Sequence, residues 1–172
     1  MIIEKKAIVL LSGGMDSVTT LALARDKGFE CYSITFNYGQ KSISEIESAV
    51  YYSKKYSCTE HKVFDINFKN FTNSALIDKN TSVLNKSDNF IPNTYVPMRN
   101  IIFLSISCSW AESIGASNIF IGANAIDYSG YPDCRENFLN SYEKMINLGS
   151  RTGSEGGKFN IFRPLVNMSK IN

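Results

Sequence analysis

The residues that could do chemistry are concentrated first in one short segment, Ser-Gly-Gly-Met-Asp-Ser at positions 12–17. It stands between an apolar run and a stretch of helix formers, so it marks the turn from a strand into a helix. A helix N-terminus offers N–H groups and a positive dipole end, both of which attract phosphate. Gly13 and Gly14 permit a close backbone approach and positive φ. Ser12 and Ser17 add hydroxyl donors, and Asp16 could hold Mg²⁺ or cap the helix. The alternative is an ordinary tight turn.

Other phosphate, metal and redox motifs are missing from the sequence. The nearest approach to a Walker A motif, Gly156-Gly157-Lys158, ends in phenylalanine, and there is no G-x-G-x-x-G. The single histidine, His61, excludes H-E-x-x-H metallohydrolase chemistry. The four cysteines form no C-x-x-C pair, which argues against a zinc ribbon or a thioredoxin-type site.

The elements that must position this segment follow an α/β order. Apolar and helical patterns alternate as β-α-β-α-β, which is typical of a mostly parallel sheet with helices on both faces. Residues 67–94 are polar and irregular, so we expect a loop insertion there, with one short helix at 73–77. The predicted strands are 7–11, 30–36, 62–66, 118–122 and 159–166, and the predicted helices are 18–27, 42–56, 100–114 and 136–148.

Composition places the chain among ordinary globular proteins. Its 172 residues (19.2 kDa) are 44% hydrophobic and 20% charged, which favours one domain over residues 1–172. The net charge of +2 is too small to indicate a nucleic-acid binder. No apolar run reaches the roughly 18 residues of a membrane span, and the start does not resemble a signal peptide. We therefore expect a cytoplasmic protein with reduced thiols and no membrane partner.

Residues 12–17 resemble the S-G-G-x-D-S signature of the N-type ATP pyrophosphatases, which bind the pyrophosphate of ATP there and cleave between its α- and β-phosphates. Five further segments resemble the 7-cyano-7-deazaguanine synthase family, in order along nearly the whole chain. These segments are Phe-Asn-Tyr-Gly-Gln at 36–40, Thr-Tyr-Val-Pro-Met-Arg-Asn at 94–100, the stretch 122–135 with Tyr-Ser-Gly-Tyr-Pro-Asp-Cys-Arg, Glu-Gly-Gly at 155–157 and Arg-Pro-Leu at 163–165.

The resemblance implies an adenine-nucleotide hydrolase-like fold with ATP at the carboxyl edge of the sheet. It also implies a reaction that turns 7-carboxy-7-deazaguanine, ammonia and ATP into 7-cyano-7-deazaguanine, for queuosine-type biosynthesis without direct contact to nucleic acid. ATP and Mg²⁺ are the expected cofactors, and a homodimer is an expected form. The ATP-binding residues would be Leu11, Ser12, Gly13, Gly14, Met15, Asp16, Ser17, Val18 and Thr19.

The acid substrate would be held by residues that follow strands or begin helices. A planar guanidinium grips a carboxylate with two hydrogen bonds, and ligands of open α/β sheets bind beyond the carboxyl ends of strands. We expect the catalytic residues to be Asp16, Arg99, Asp133 and Arg135, and the substrate-binding residues to be Tyr38, Gln40, Arg99, Asn124, Asp133 and Arg135. We expect structural roles for Cys134, His61, Phe103 and Trp110.

One departure from the family concerns its C-terminal zinc-binding cysteine cluster. The four cysteines lie elsewhere, so zinc ligands cannot be assigned in this chain, which looks C-terminally shortened. Two alternatives remain at this point. The chain could be a remnant that folds and binds ATP without turnover, or an ATP pyrophosphatase acting on tRNA, for which the low net charge offers no support.

Overall fold

The computed structural model describes residues 5–40, 44–68, 74, 76–77, 91–123 and 131–166. Within these residues there are five strands and five helices, with one helix in each of the first three connections and two in the last. The strands are β1 (Lys6–Leu10), β2 (Glu30–Asn37), β3 (Glu60–Asp65), β4 (Asn118–Phe120) and β5 (Asn160–Phe162). The helices are α1 (Met15–Asp26), α2 (Ser44–Lys55), α3 (Arg99–Ser113), α4 (Glu136–Gly149) and the one-turn α5 (Arg151–Ser154), with a 3₁₀ turn at Pro132–Cys134.

The strands form one parallel sheet in the order β3-β2-β1-β4-β5. The chain winds outward from β1 to β3 and then returns to place β4 on the other side of β1. This reversal makes the carboxyl ends of β1 and β4 a topological switch point, where the connections diverge and leave a crevice. The predicted α/β fold class is therefore confirmed.

The alternation of side chains along β1 explains why its sequence is apolar throughout. Ala7 and Val9 pack with α1 and α2 on one face of the sheet. Ile8 and Leu10 pack with α3 and α4 on the other face. A central parallel strand is covered on both faces, so neither set of side chains meets water. Trp110 and Phe103 of α3 lie in the second of these clusters, as expected.

The start of α1 differs from the sequence prediction. The helix begins at Met15, three residues before the predicted start at 18, with Gly14 as its N-cap. Residues 15–17 are therefore the first helical turn, and the connecting loop is shorter than expected. The strand ends also differ, because β4 stops at Phe120 and β5 covers only Asn160–Phe162.

The glycine- and serine-rich segment after α4 contains a helical turn that the sequence did not predict. The Ser150 hydroxyl accepts a hydrogen bond from the Gly153 N–H at 3.0 Å, which makes Ser150 the N-cap of α5. The Glu112 carboxylate of α3 accepts another from the Thr152 N–H at 2.8 Å. Long-range capping therefore stabilises a segment whose own helix propensity is low.

Several predictions fall outside the described residues. These include Asn124, the residue Ser42 of the predicted α2 start, and most of the predicted insertion at 67–94. The predicted helix at 73–77 is described only at Ser74, Leu76 and Ile77, and the last two form a turn. None of the helices in the described ranges is both long and apolar enough to cross a membrane. All four cysteines are described and are free thiols.

Candidate active site

A cavity of about 420 Å³ opens at the carboxyl ends of β1, β2 and β4, at the switch point of the sheet. Its lining includes two groups of residues, which come from different parts of the chain. The loop wall is the turn from β1 into α1 and consists of Leu11, Ser12, Gly14, Met15, Asp16 and Ser17. The side-chain wall consists of Phe36, Tyr38, Arg99, Asn100, Phe103 and Cys134.

The loop wall is held by a compact set of hydroxyl and backbone hydrogen bonds. The Ser17 hydroxyl donates to the Gly14 carbonyl at 2.8 Å and accepts from the Gly13 N–H at 3.1 Å. The Ser12 hydroxyl accepts from the Gly14 N–H at 3.3 Å and donates to Ser17 Oγ at 3.1 Å. Both hydroxyls thus fix the loop itself, while Ser12 and Ser17 also line the cavity.

Gly13 is required by the approach of a neighbouring helix. Its φ is +89°, and a Cβ placed on it would lie 2.0 Å from the Glu45 carbonyl oxygen of α2. The Ser48 hydroxyl of α2 donates to the Gly13 carbonyl at 2.8 Å. Gly14 differs, because its φ of −74° is available to any residue, so the expectation of positive φ there is wrong. Its added Cβ would meet only Ser12 Oγ at 3.5 Å.

The first turn of α1 presents Asp16 to the cavity. A carboxylate at this position interacts favourably with the positive end of the helix dipole. Met15 also lines the cavity, whereas Val18 and Thr19 are not among its lining residues in the described part of the chain. The Thr19 hydroxyl instead donates to the Met15 carbonyl at 2.9 Å. Six of the nine predicted ATP residues therefore line the cavity, and Gly13 lies between two of them in the same loop.

The side-chain wall brings together Arg99 and Tyr38, which are 61 positions apart. Arg99 is the first residue of α3, and its Nη1 donates to the Tyr38 hydroxyl at 3.1 Å. The guanidinium carbon lies 5.5 Å from the centre of the tyrosine ring. Burial lowers the pKa of Arg99, but Tyr38, Asp133 and Cys134 outweigh it and raise that pKa overall. The guanidinium is therefore a fixed positive charge at the cavity.

Gln40, a predicted substrate-binding residue, lines the cavity, but both ends of its amide bind its own loop. Its Oε1 accepts from the Tyr38 N–H at 2.9 Å, and its Nε2 donates to the Phe36 carbonyl at 3.2 Å. These bonds hold the backbone after β2, and so they position Tyr38 for its contact with Arg99. In this structure Gln40 therefore stabilises the backbone that carries Phe36 and Tyr38 of the side-chain wall.

Asp133 occupies a supporting place behind the wall. It is 5% exposed, and its Oδ2 accepts from the Asn100 N–H at 2.9 Å. The N-cap of α3, Met98, has φ of +55° and makes no side-chain capping bond, so Asp133 satisfies the helix start from a distant loop. Arg135 is the N-cap of α4. Within the described residues, neither Asp133 nor Arg135 lines the cavity, although Cys134 between them does.

Sequence reasoning missed several residues that shape the cavity. Phe36 and Phe103 stack with ring centres 4.0 Å apart and an interplanar angle of 5°. The Thr35 hydroxyl is fully buried and donates to the Leu11 carbonyl, at the start of the loop wall. Glu45 of α2 also lines the cavity. Phe36 and Thr35 sit at the carboxyl end of a predicted strand, which is the one signal that could have indicated them.

The single histidine lies on the other side of β2, at the edge of the sheet. His61 Nδ1 and the Ser33 hydroxyl are 2.8 Å apart and share a hydrogen bond. Burial lowers the pKa of the imidazole below its usual range. His61 is not a lining residue of the cavity. No three His, Cys, Asp or Glu side chains of the described residues are grouped so that they could hold a metal ion.

Comparison with known proteins gives matches over nearly the whole chain. The family model described as "Queuosine biosynthesis protein QueC" matches residues 6–172. The 7-cyano-7-deazaguanine synthase of Stutzerimonas stutzeri is 49% identical over 167 residues, which are 97% of this chain and 75% of that protein. The protein of the same name from Methylococcus capsulatus is 48% identical, over 96% of this chain and 74% of that protein.

Solved structures resemble this chain in fold at low sequence identity. A predicted subunit of tRNA methyltransferase from Methanocaldococcus jannaschii aligns with a TM-score of 0.60 and 18% identity, over 97% of this chain and 71% of its own. A 4-thiouridine synthetase–RNA complex with bound ATP aligns with a TM-score of 0.57 and 18% identity, over 97% of this chain and 38% of its own. These likenesses concern the arrangement of the sheet and its helices.

Proposed function

Since this chain belongs to the Queuosine biosynthesis protein QueC family, we propose that it converts 7-carboxy-7-deazaguanine, ammonia and ATP into 7-cyano-7-deazaguanine. The observation that carries the proposal is one cavity with two chemically different walls. A helix N-terminus with an adjacent carboxylate suits a nucleotide phosphate and its metal. A guanidinium among aromatic rings suits a planar heterocyclic acid. The reaction requires both ligands to meet.

A carboxylate is a poor electrophile, so it must be activated before nitrogen can attack. In the proposed first step, a carboxylate oxygen attacks the α-phosphorus of ATP, the bond to the β-phosphate oxygen breaks, and pyrophosphate leaves. The N–H groups at the start of α1 and the Ser12 hydroxyl would stabilise the charge that develops on the phosphates. Gly14 suits this role because its missing side chain leaves room above the loop.

Ammonia then attacks the acyl carbon, and AMP leaves, which gives the amide and releases a proton. The amide oxygen attacks a second ATP, and pyrophosphate leaves again. Loss of both N–H protons and of AMP, which carries the former amide oxygen, leaves the nitrile. The balance is one acid and one ammonia with two ATP, giving one nitrile, two AMP and two pyrophosphate. Throughout these steps the protein's task is to align the reactants and exclude misplaced water.

Arg99 is proposed to hold the carboxylate of the acid. Its contact with Tyr38 fixes the guanidinium plane, and a fixed plane loses less entropy when it pairs with a carboxylate. The buried Asp133 is proposed to position this wall through the start of α3. Arg135 is also proposed to contact the acid, although it does not line the cavity within the described residues. It would reach a ligand that extends past the cavity.

Asp16 is proposed to hold Mg²⁺ together with the ATP phosphates. One or two carboxylates combined with phosphate oxygens is the usual environment of this ion. When bound, the ion supplies positive charge against the leaving pyrophosphate. Asp16 lines the cavity at the positive end of α1 and so lies where such a charge is needed.

The proposed reaction is tested by supplying the acid, ammonia and MgATP and measuring three products. We expect nitrile by mass spectrometry, with two AMP and two pyrophosphate for each nitrile. Asp16→Ala should lose ATP binding in calorimetry. Arg99→Met should keep ATP binding but require far more acid. A chain that binds ATP yet releases no pyrophosphate with the acid would contradict the proposal and favour a non-catalytic ATP-binding role.

A further inference from the structure

Asn100 lines the cavity, and the nitrogen of its side-chain amide is already hydrogen-bonded within the protein. It is the second residue of α3 and is 8% exposed. Its Nδ2 donates to the Asp133 carbonyl at 3.3 Å and to Cys134 Sγ at 3.1 Å. Its backbone N–H donates to Asp133 Oδ2 at 2.9 Å. Three hydrogen bonds thus fix the side chain and the helix turn that carries it.

These contacts also fix which end of the amide faces the cavity. A backbone carbonyl can only accept hydrogen bonds, so the nitrogen of the Asn100 amide must face Asp133 and the oxygen must point away from it. None of the described residues donates to Asn100 Oδ1. This oxygen is not sealed from solvent either, and the residue lines the cavity. An acceptor held this rigidly in the lining of a cavity suits a donor that arrives with a ligand.

We propose that Asn100 Oδ1 accepts a hydrogen bond from an N–H group of the reactants, an inference that rests on the proposed function. Two reactants carry such groups, namely the incoming ammonia and the deazaguanine ring. A neutral acceptor fits both. It does not repel the acid or the phosphates as a carboxylate would, and it gives no charge that would favour ammonium over the nucleophilic ammonia. Arg99 would then bind the carboxylate of the acid, and Asn100 would accept a hydrogen bond from an N–H group of a reactant.

The test compares Asn100→Ser with Asn118→Ser as a matched control. Asn118 also donates its amide N–H to a backbone carbonyl, that of Lys6 at 3.0 Å, but at the amino end of β4, away from the cavity. Half-saturating concentrations of acid, ammonia and ATP are measured for both variants and the unchanged chain. We expect Asn100→Ser to raise the requirement for acid or for ammonia about tenfold, the effect of one buried hydrogen bond, with ATP affinity unchanged.

Varying ammonia and the acid separately distinguishes which reactant supplies the N–H group. A rise confined to ammonia identifies the incoming nitrogen, and a rise confined to the acid identifies the ring. Unchanged requirements for both, or losses of acid, ammonia and ATP affinity in parallel, would overturn the inference. Failure of the unchanged chain to form nitrile would instead contradict the proposed function.

Thermal unfolding shows whether Asn100→Ser folds. If it does not, the unchanged chain labelled with carbon-13 at its asparagine side-chain carbonyls supplies the readout. The Asn100 signal must then shift when acid or ammonia is added in the presence of a non-hydrolysable ATP analogue. A signal that stays fixed with both would overturn the inference equally.

Discussion

The two walls of the cavity are built by different means. The hydrogen bonds within the loop wall join residues at most five positions apart. Those that hold Arg99 and Asn100 in the side-chain wall join residues 33 to 61 positions apart. The loop wall is therefore a local property of a strand followed by glycines and a helix, whereas the side-chain wall exists only once the sheet is assembled. With the proposed function, the comparison predicts that binding of ATP and binding of the acid can be separated by mutation.

The largest expected effect comes from Gly13→Ala, which disrupts the packing of the loop against α2. The new Cβ would lie 2.0 Å from the Glu45 carbonyl oxygen at a φ of +89°. Because backbone must move on both sides, we expect a loss of at least ~3 kcal/mol in the free energy of unfolding. Chemical denaturation measures it. Gly14→Ala is the control, since its Cβ fits, and it should keep stability while ATP affinity falls. Equal stability of the two variants would contradict the assigned role of Gly13.

The next effect concerns Asp133, which supports the side-chain wall from behind. Asp133→Ala leaves the buried Asn100 N–H without its acceptor, and we expect a loss of about 2 kcal/mol in the free energy of unfolding. Asp133→Asn retains an acceptor oxygen and should lose less. ATP affinity, measured in a folded sample by calorimetry, should change little in either variant. A selective loss of ATP affinity would show that the two walls are not separable.

A smaller effect is expected at Tyr38, where a single hydroxyl can be removed. Tyr38→Phe keeps the ring beside the guanidinium but deletes the oxygen that accepts from Arg99 Nη1. The lost bond acts on the acid only through the orientation of the guanidinium, so we expect an effect of about 1 kcal/mol, which corresponds to roughly a fivefold rise in the half-saturating acid concentration. Steady-state kinetics with acid as the varied substrate measures this rise. The same experiment with ATP varied serves as the control, and an equal rise there would place Tyr38 on the nucleotide.

The smallest effect lies outside both walls, at His61. Burial lowers the pKa of its imidazole in the folded chain, so the unfolded chain binds the proton more readily. The contribution to stability is complete above the unfolded pKa of about 6.5 and is lost as pH falls toward the lower folded pKa. His61→Gln should flatten that part of the curve of unfolding free energy against pH. Activity at saturating substrate should not follow the same curve, because His61 does not line the cavity.

The difference between the walls also explains what could be predicted from the sequence. The succession of strands and helices and the glycine-containing turn after β1 follow from local apolar runs and from two adjacent glycines, so both could be predicted, whereas the order of the strands in the sheet could not. The start of α1 was placed too late, because Met15–Asp16–Ser17 includes weak helix formers and only the capping geometry at Gly14 shows that the turn is helical. The start of α3 at Arg99 was placed within one residue, since the preceding proline marks it.

Roles that depend on distant partners could not be predicted in this way. No local pattern shows that Asp133 caps α3, because the two residues that bond are 33 positions apart. The stacked pair Phe36 and Phe103 belongs to β2 and α3, which come into contact only when α3 packs on the sheet. A propensity argument assigned Phe103 to the core, which is correct, but it could not show that the same ring faces a cavity.

The capping of α3 by Asp133 has a consequence for the order in which the chain folds. Asn100 and Asp133 are separated by β4, so the first turn of α3 lacks its acceptor until β4 has joined β1 and the chain has returned. Bringing Asn100 and Asp133 together closes a loop of the chain, which costs conformational entropy. We therefore expect the middle of α3 to form before its first turn, so that Arg99 becomes ordered only when the segment carrying Asp133 has packed against α3. Amide hydrogen exchange at this turn would then report sub-global opening of the sheet.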